Sequence, residues 1–161
     1  MKTIALVAQK GGSGKTTLAI HLAGCALRQG AKVVLVDTDP QGSCGAWWRR
    51  RKAERPVLVE AAAKQLPAVL ESAREDGYDV ALVDTAPHAR TEAALAVRYA
   101  DLALIPTRPS LLDVAAIGAT VELVATLHGK AAIVLNGCPA PRLVGLQPGL
   151  VREAKVALKG Y

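Results

Sequence analysis

The chain has 161 residues, enough for one domain with a proper core and too few for a second folded unit beside it. Its 20 Lys and Arg against 14 Asp and Glu give a formal net charge of +6, which suggests an anionic partner without requiring nucleic acid. Apolar residues make up 51% of the chain, with no Phe, but they fall in runs of strand length, which argues against a membrane span and for a soluble protein.

Met1-Lys2-Thr3 leads straight into an apolar run and lacks the longer apolar stretch and cleavage site of a secretory leader, so a cytoplasmic location is expected. The cysteines, Cys25, Cys44 and Cys138, are widely spaced and odd in number, as free thiols would be. The first predicted strand is Thr3 to Ala8. After it comes Lys10-Gly11-Gly12-Ser13-Gly14-Lys15-Thr16-Thr17, in front of a helical pattern over Lys15 to Gln29 that ends at Gly30. Glycines let successive backbone N–H groups turn inward around a polyphosphate, and the helix behind them adds its positive dipole end. Lys15 would reach the terminal phosphates. Thr16 stands where the hydroxyl of G-x-x-x-x-G-K-[ST] ligates Mg2+. The strict pattern fails at Gln9, where its first glycine would fall, and Lys10 is an additional lysine. On chemistry alone Lys10 is either a second phosphate ligand or a solvated loop residue.

The second strand, Lys32 to Val36, ends in Asp37-Thr38-Asp39-Pro40-Gln41-Gly42-Ser43. The two-residue period of extended chain puts Asp37 and Asp39 on one side, where both could face magnesium and phosphates. Asp39 is the candidate for orienting an attacking water; its other reading is a turn residue before Pro40. Trp47 and Trp48 precede the densest basic cluster, Arg49-Arg50-Arg51-Lys52 and Arg55. This reads as a solvated helix face with the indoles packed inward, in preference to a DNA contact. Next come a strand at Val57 to Val59, a helix at Pro67 to Glu75, and a strand at Val80 to Val83 ending in Asp84-Thr85-Ala86-Pro87. A carboxylate after such an aliphatic strand can hold Mg2+ directly or through a bound water, or can cap the following turn.

A helix over Thr91 to Ala100, a strand at Leu102 to Ile105, one helix over Leu111 to Leu127 and a strand at Ala131 to Leu135 ending at Asn136 follow. A Pro/Gly-rich loop then leads to a short helix, about Leu150 to Lys159. A second basic group, Arg142, Arg152, Lys155 and Lys159, lies here. This alternation predicts a single doubly wound α/β domain over residues 1–161, with a mainly parallel sheet, helices on both faces and the ligand at the C-terminal ends of the strands.

With Lys10, Gly11, Gly12, Lys15 and Thr16, then Asp37-x-Asp39-Pro40-Gln41-Gly42, then Asp84-Thr85-Ala86-Pro87, the sequence resembles the ParA/MinD family of deviant Walker A P-loop ATPases. The match spans nearly the whole chain. It is most similar to the small ParA-type partition ATPases without an N-terminal DNA-binding domain, through the start at the first strand, Ala46-Trp47, and Asp101 to Pro106 with Pro109-Ser110 and Asp113. The resemblance implies ATP or ADP held by Gly11, Gly12, Ser13, Gly14, Lys15, Thr16 and Thr17, with Mg2+ near Thr16, Asp37 and Asp84. It makes Lys10, Lys15 and Asp39 catalytic, Lys10 being the signature lysine, which reaches across a dimer interface to the partner subunit's nucleotide. Asn136 matches the asparagine that hydrogen-bonds adenine, a plain turn residue being its other reading.

At the level of the whole protein the resemblance implies slow Mg2+-dependent ATP hydrolysis, an ATP-dependent homodimer and non-specific DNA binding through phosphates near Arg142, Arg152, Lys155 and Lys159. It further implies a nucleoid-associated protein that positions plasmid, chromosome or other cargo, with a ParB-like or other adaptor stimulating hydrolysis. A MinD-like membrane regulator is the alternative. That role needs a C-terminal amphipathic helix with bulky apolar residues, and Leu150 to Leu158 has Val151 and Val156 but no Phe or Trp, so no membrane partner is expected. Cysteines bridging a metal cluster, as in a nitrogenase-reductase-like enzyme, are not matched by these three. Members of the family usually continue with another strand and closing helices, so the chain reads as short at its C-terminus. A nucleotide-binding domain without full partition output is the remaining alternative.

Overall fold

The computed structural model describes residues 1–140 and 149–161. Six strands, β1 (Lys2–Leu6), β2 (Val33–Asp37), β3 (Val57–Glu60), β4 (Val80–Asp84), β5 (Leu102–Thr107) and β6 (Ala131–Leu135), form one sheet in the order β3-β2-β4-β1-β5-β6. Every neighbouring pair is parallel. Parallel strands need crossovers, and these are supplied by α1 (Lys15–Arg28), α2 (Ser43–Arg50), α3 (Leu66–Glu75), α4 (Arg90–Tyr99), α5 (Leu111–Ala116) and α6 (Gly118–Thr126). Beyond β6 lies α7 (Gly149–Ala157), with a 3-10 turn at Leu158–Gly160.

The two-residue side-chain period sorts the strands between two cores. Ala5, Val7, Val34, Val36, Ala81, Val83, Ala103 and Ile105 pack under Leu66 and Leu70 of α3, Ala96 and Val97 of α4, and Leu123 and Val124 of α6. Leu6, Val33, Leu35, Leu82 and Leu104 face the other way, onto Ala19 and Ala23 of α1 and Cys44 of α2. The central strands are therefore apolar on both sides, as a sheet covered on two faces requires. Small alanines on α1 and α4 let those helices lie close to the sheet. The register places Leu6, Asp37 and Asp84 level with one another at the C-terminal edge. That is the edge on which the first glycine loop opens.

The structure corrects two readings of the sequence. The helix expected over Leu111 to Leu127 is two helices, because at Ile117 the N–H turns to Val114 O at 3.3 Å and Gly118, a weak helix former, follows. The break brings the Thr120 hydroxyl to the Gln9 N–H, 3.4 Å away on the glycine loop. Between β2 and β3, the basic cluster lies only partly on a helix: α2 carries Arg49 and Arg50, while Arg51 and Lys52 form the turn after it. Trp47 packs on the core, and Trp48 Nε1 donates to Pro56 O at 2.6 Å, so the indoles lie inward and the arginines outward as expected of a solvated basic face. Among the described residues all three cysteines are free, and no helix is long and apolar enough to cross a membrane.

Candidate nucleotide-binding site

The loop between β1 and α1 turns sharply at Gly12 (φ 73) and Gly14 (φ 100), both in the left-handed region that glycine alone enters without strain. A side chain at Gly14 would in addition overlap the Asn136 amide. Helix α1 then opens directly behind the loop with no acidic residue in its first turn, so its positive end is left facing the loop.

Lys15 is only 7% exposed, and its Nζ donates to Ala8 O at 3.3 Å across the loop. Burial pulls its pKa down, while Asp84 and then Asp39 hold it up. Thr16 Oγ1 donates to Asp84 Oδ2 at 2.6 Å. Asp84 is 1% exposed; burial, reinforced by Asp37 and Asp39, pushes its carboxyl up to about 6 against the opposing pull of Thr16 and Lys15. Its peptide carbonyl is gripped by Thr38, through the backbone N–H at 2.9 Å and the hydroxyl at 2.8 Å. The carboxylate is thus fixed at the sheet edge.

Among the described residues three buried side-chain atoms lack a hydrogen-bond partner: Gln9 Nε2, Ser13 Oγ and Asp84 Oδ1. Two lie on the glycine loop and the third on the acid bonded to it. Each such group costs about 1–3 kcal/mol when left unmade, and Asp84 Oδ1, beside the Thr16 hydroxyl, is placed where a bound polar ligand would satisfy it. The donors fit magnesium: a threonine hydroxyl and a carboxylate oxygen suit a hard cation that takes few protein ligands and completes its shell with water and phosphate. Among the described residues no three His, Cys, Asp or Glu side chains converge into a self-sufficient metal site.

Asp37 and Asp39 do different work in the fold. Asp37 is buried and accepts the N–H groups of Asp39 at 3.1 Å and Gly45 at 3.2 Å, tying the start of α2 to the end of β2. Burial, with Asp39 and Glu60 nearby, raises its pKa against the pull of those two N–H groups. Asp39 is half-buried and sits in the turn anticipated before Pro40, its Oδ1 accepting the Gln41 N–H at 2.9 Å. It borders a cavity of about 400 Å3 shared with Asp37, Gly42 and Glu60.

The two lysines of the loop are placed oppositely. Lys15 is buried behind it, whereas Lys10 stands 45% exposed at the rim, paired with Asp113 in the first turn of α5. Gly11 and Thr17 are exposed on either side of the turn. Asn136 follows β6, its Nδ2 donating to Ser13 O at 3.2 Å and its Oδ1 accepting the Gly137 N–H at 2.9 Å, so it clasps the loop from a strand end two places along the sheet from β1. Of the distal basic group, Arg152 and Lys155 lie exposed on α7 and Lys159 on the 3-10 turn after it, with the 3- and 4-residue spacing of one helix face. Arg142 lies outside the described residues. Sequence reasoning gave Asp113 no role and missed Arg108, which runs beside Gly12 and Gly137. The available signal was position: both follow the C-terminal end of β5, on the ligand-bearing edge.

Comparison with known proteins agrees with this geometry. The model of the CobQ/CobB/MinD/ParA nucleotide binding domain matches residues 4–146. The chain is 41% identical over 147 residues to the maintenance of carboxysome distribution protein A of Gloeobacter kilaueensis, covering 89% of this chain and 66% of that protein. It is 33% identical over 155 residues to the chromosome-partitioning ATPase Soj of Thermus thermophilus, covering 76% and 62%. The chain therefore spans about two thirds or less of these relatives' length. Its fold matches the solved structure of apo McdA from Cyanothece with a TM-score of 0.81 at 22% identity, over 99% of this chain and 81% of that one. The glycine loop with its orphaned polar atoms, the parallel sheet and the matched residues lead to one assignment: the chain belongs to the CobQ/CobB/MinD/ParA nucleotide-binding family, on its small ParA-type side.

Proposed function

We infer that the chain is a Mg2+-dependent ATPase of ParA type that dimerises with bound ATP, binds DNA through its phosphates and positions a large cargo with the help of a hydrolysis-stimulating adaptor. The carrying observation is the buried, unpartnered Asp84 Oδ1, on the carboxylate that holds the Thr16 hydroxyl beside the buried Lys15. The names of the relatives, carboxysome distribution and chromosome partition, support the cargo class.

In this reading Gly11 to Thr17 wrap the phosphates, Lys15 neutralises their terminal charge, and Thr16 with Asp84 holds magnesium, which supplies charge neutralisation of the developing leaving group. Asp37 fixes the approach of α2 and adds negative charge near the metal. Asp39, whose charge reaches Lys15, is the carboxylate that would accept a hydrogen bond from water beside the phosphates. Asn136 holds the loop and stands ready for the base. Lys10 reaches the partner subunit's nucleotide only after leaving Asp113, so dimer formation includes opening that ion pair.

The test is molar mass by light scattering together with DNA retention, each with ATP, ADP and no nucleotide at two salt concentrations. A dimer and salt-sensitive retention with ATP alone are expected; retention independent of ATP would refute the switch.

A further inference from the structure

The lateral edge of the sheet at β3 carries three features that the nucleotide site does not use. First, β3 has a single sheet neighbour, β2, so the peptide groups on its outer side are unpaired by the sheet. Second, a cavity of about 600 Å3 opens alongside it, floored by Val57 and Val59 of the strand and walled by Ala68 and Val69 of α3 and by Tyr78. Val57 is 37% exposed there. The charged groups lining the cavity, Lys64 and Asp76, cancel each other. Third, the basic cluster gathers where β3 begins.

That cluster is held by the fold. Trp48 Nε1 bonds Pro56 O, and Arg51 donates to Arg55 O at 3.0 Å while lying over the Trp47 ring at 4.5 Å, so the turn after α2 is stitched to the start of the strand. Arg49 is neutralised by Glu60 at 3.0 Å. Arg50, Lys52 and Arg55 are exposed with no carboxylate partner among the described residues, against one local acid, Glu54.

The two sides of β3 thus differ. Val57 and Val59 point toward the apolar cavity, while Leu58 packs on the opposite face, on the side of α2 and its arginines. A strand added to this edge would present alternate side chains to these two environments. We propose that the β3 edge is a docking site for an extended peptide whose alternate residues are aliphatic and acidic, the aliphatic ones entering the cavity and the acidic ones meeting Arg50, Lys52 and Arg55. Its backbone pairs with the outer peptide groups of β3, giving affinity, while the cavity and the cations give selectivity. A second copy of the chain fits poorly, because it brings the same +6 charge and a β3 of only four residues. The edge is lateral to the nucleotide-bearing ends of the strands, so this surface is independent of the ATPase reading.

The chain's two tryptophans both lie in α2, and Trp48 is bonded to Pro56 next to Val57, so intrinsic fluorescence reports on this edge. Nucleotide-free protein is titrated with a capped synthetic peptide of four Val-Glu repeats, with four Val-Lys repeats and with four Val followed by four Glu. Backbone hydrogen exchange follows in parallel. Saturable binding is expected for the Val-Glu repeat alone, with slowed exchange over Val57–Glu60. The double variant Arg50→Glu/Arg55→Glu and the exposed-site variant Val57→Lys should each weaken binding about tenfold or more. No saturable binding up to about 1 mM, a range that includes weak peptide recognition, overturns the proposal. So does equal binding of the Val-Lys repeat, affinity unchanged in the charge-reversed variant, protection confined elsewhere, or self-association of the free chain through β3.

Discussion

Under the proposed function, individual residues divide between holding one nucleotide and coupling two. Lys15→Ala removes the buried cation of the loop and is expected to abolish nucleotide binding by calorimetry, whereas Asp39→Ala should bind ATP and persist as a dimer. Lys10→Ala should bind ATP yet stay monomeric in light scattering, and Asp113→Ala, which frees Lys10, should form the ATP dimer at lower protein concentration. Asp84 gives a pH signature. Its folded pKa of about 6 stands above the ordinary 3.8, so folding favours the protonated form. This group's contribution is therefore most favourable at low pH and is lost as pH rises through the window from about 4 to 6. The shift corresponds to about 3 kcal/mol at neutral pH. Metal-free Asp84→Asn, which keeps the acceptor for Thr16, should melt above the parent chain at pH 7.5 and show no gain from magnesium; a lower melting temperature would contradict a net cost of burying the Asp84 carboxylate beyond what Thr16 and Lys15 offset. The order of glycines, lysine and hydroxyl singled out Lys15 and Thr16, and the end of an aliphatic strand singled out Asp84; the fold brings Thr16 and Asp84 into a hydrogen bond. The pairing of Asp113 was not legible because its partner lies 103 residues earlier in the chain, and only folding joins them.

Elements follow from local pattern wherever one rule dominates. All six strands were legible as aliphatic runs: the four inner ones because a strand buried on both faces tolerates little else, and the edge strands β3 and β6 because one face still packs on the core. The left-handed turn before α1 was legible from its glycines. Gly14→Ala tests it: positive φ and the overlap with Asn136 should together cost about 2 kcal/mol in denaturant unfolding and abolish nucleotide binding. Adding Asn136→Ala should restore part of that stability by removing the overlap, the backbone strain remaining. Boundaries were less legible. The break at Ile117, where the N–H turns to Val114 O and Gly118 follows, falls inside a stretch whose helical periodicity continues across it, so the pattern does not mark it. Likewise α2 is short, and its N-terminus is secured by the Asp37 carboxylate accepting the Gly45 N–H from outside the helix.

At the scale of the whole molecule, a basic chain with a nucleotide site at one sheet edge places its proposed DNA contacts on the α7 side. Arg152→Glu with Lys159→Glu should lower ATP-dependent DNA retention and flatten its salt dependence, while leaving nucleotide affinity unchanged; a retained salt slope would move the DNA contact to another face. The sequence by itself determined the α/β class, the strand set and the phosphate loop, because burial period, glycine conformations and motif spacing are local properties of the chain. Tertiary structure alone decided which strands become neighbours, and with them the level placement of Asp37 and Asp84, the pairing of Lys10 with Asp113 and the clasp of Asn136 on Ser13. It also left β3 as an open edge beside its basic turn. These contacts join groups far apart in the chain, and their geometry is fixed only when parallel crossovers bring the strand ends to one side of a single sheet.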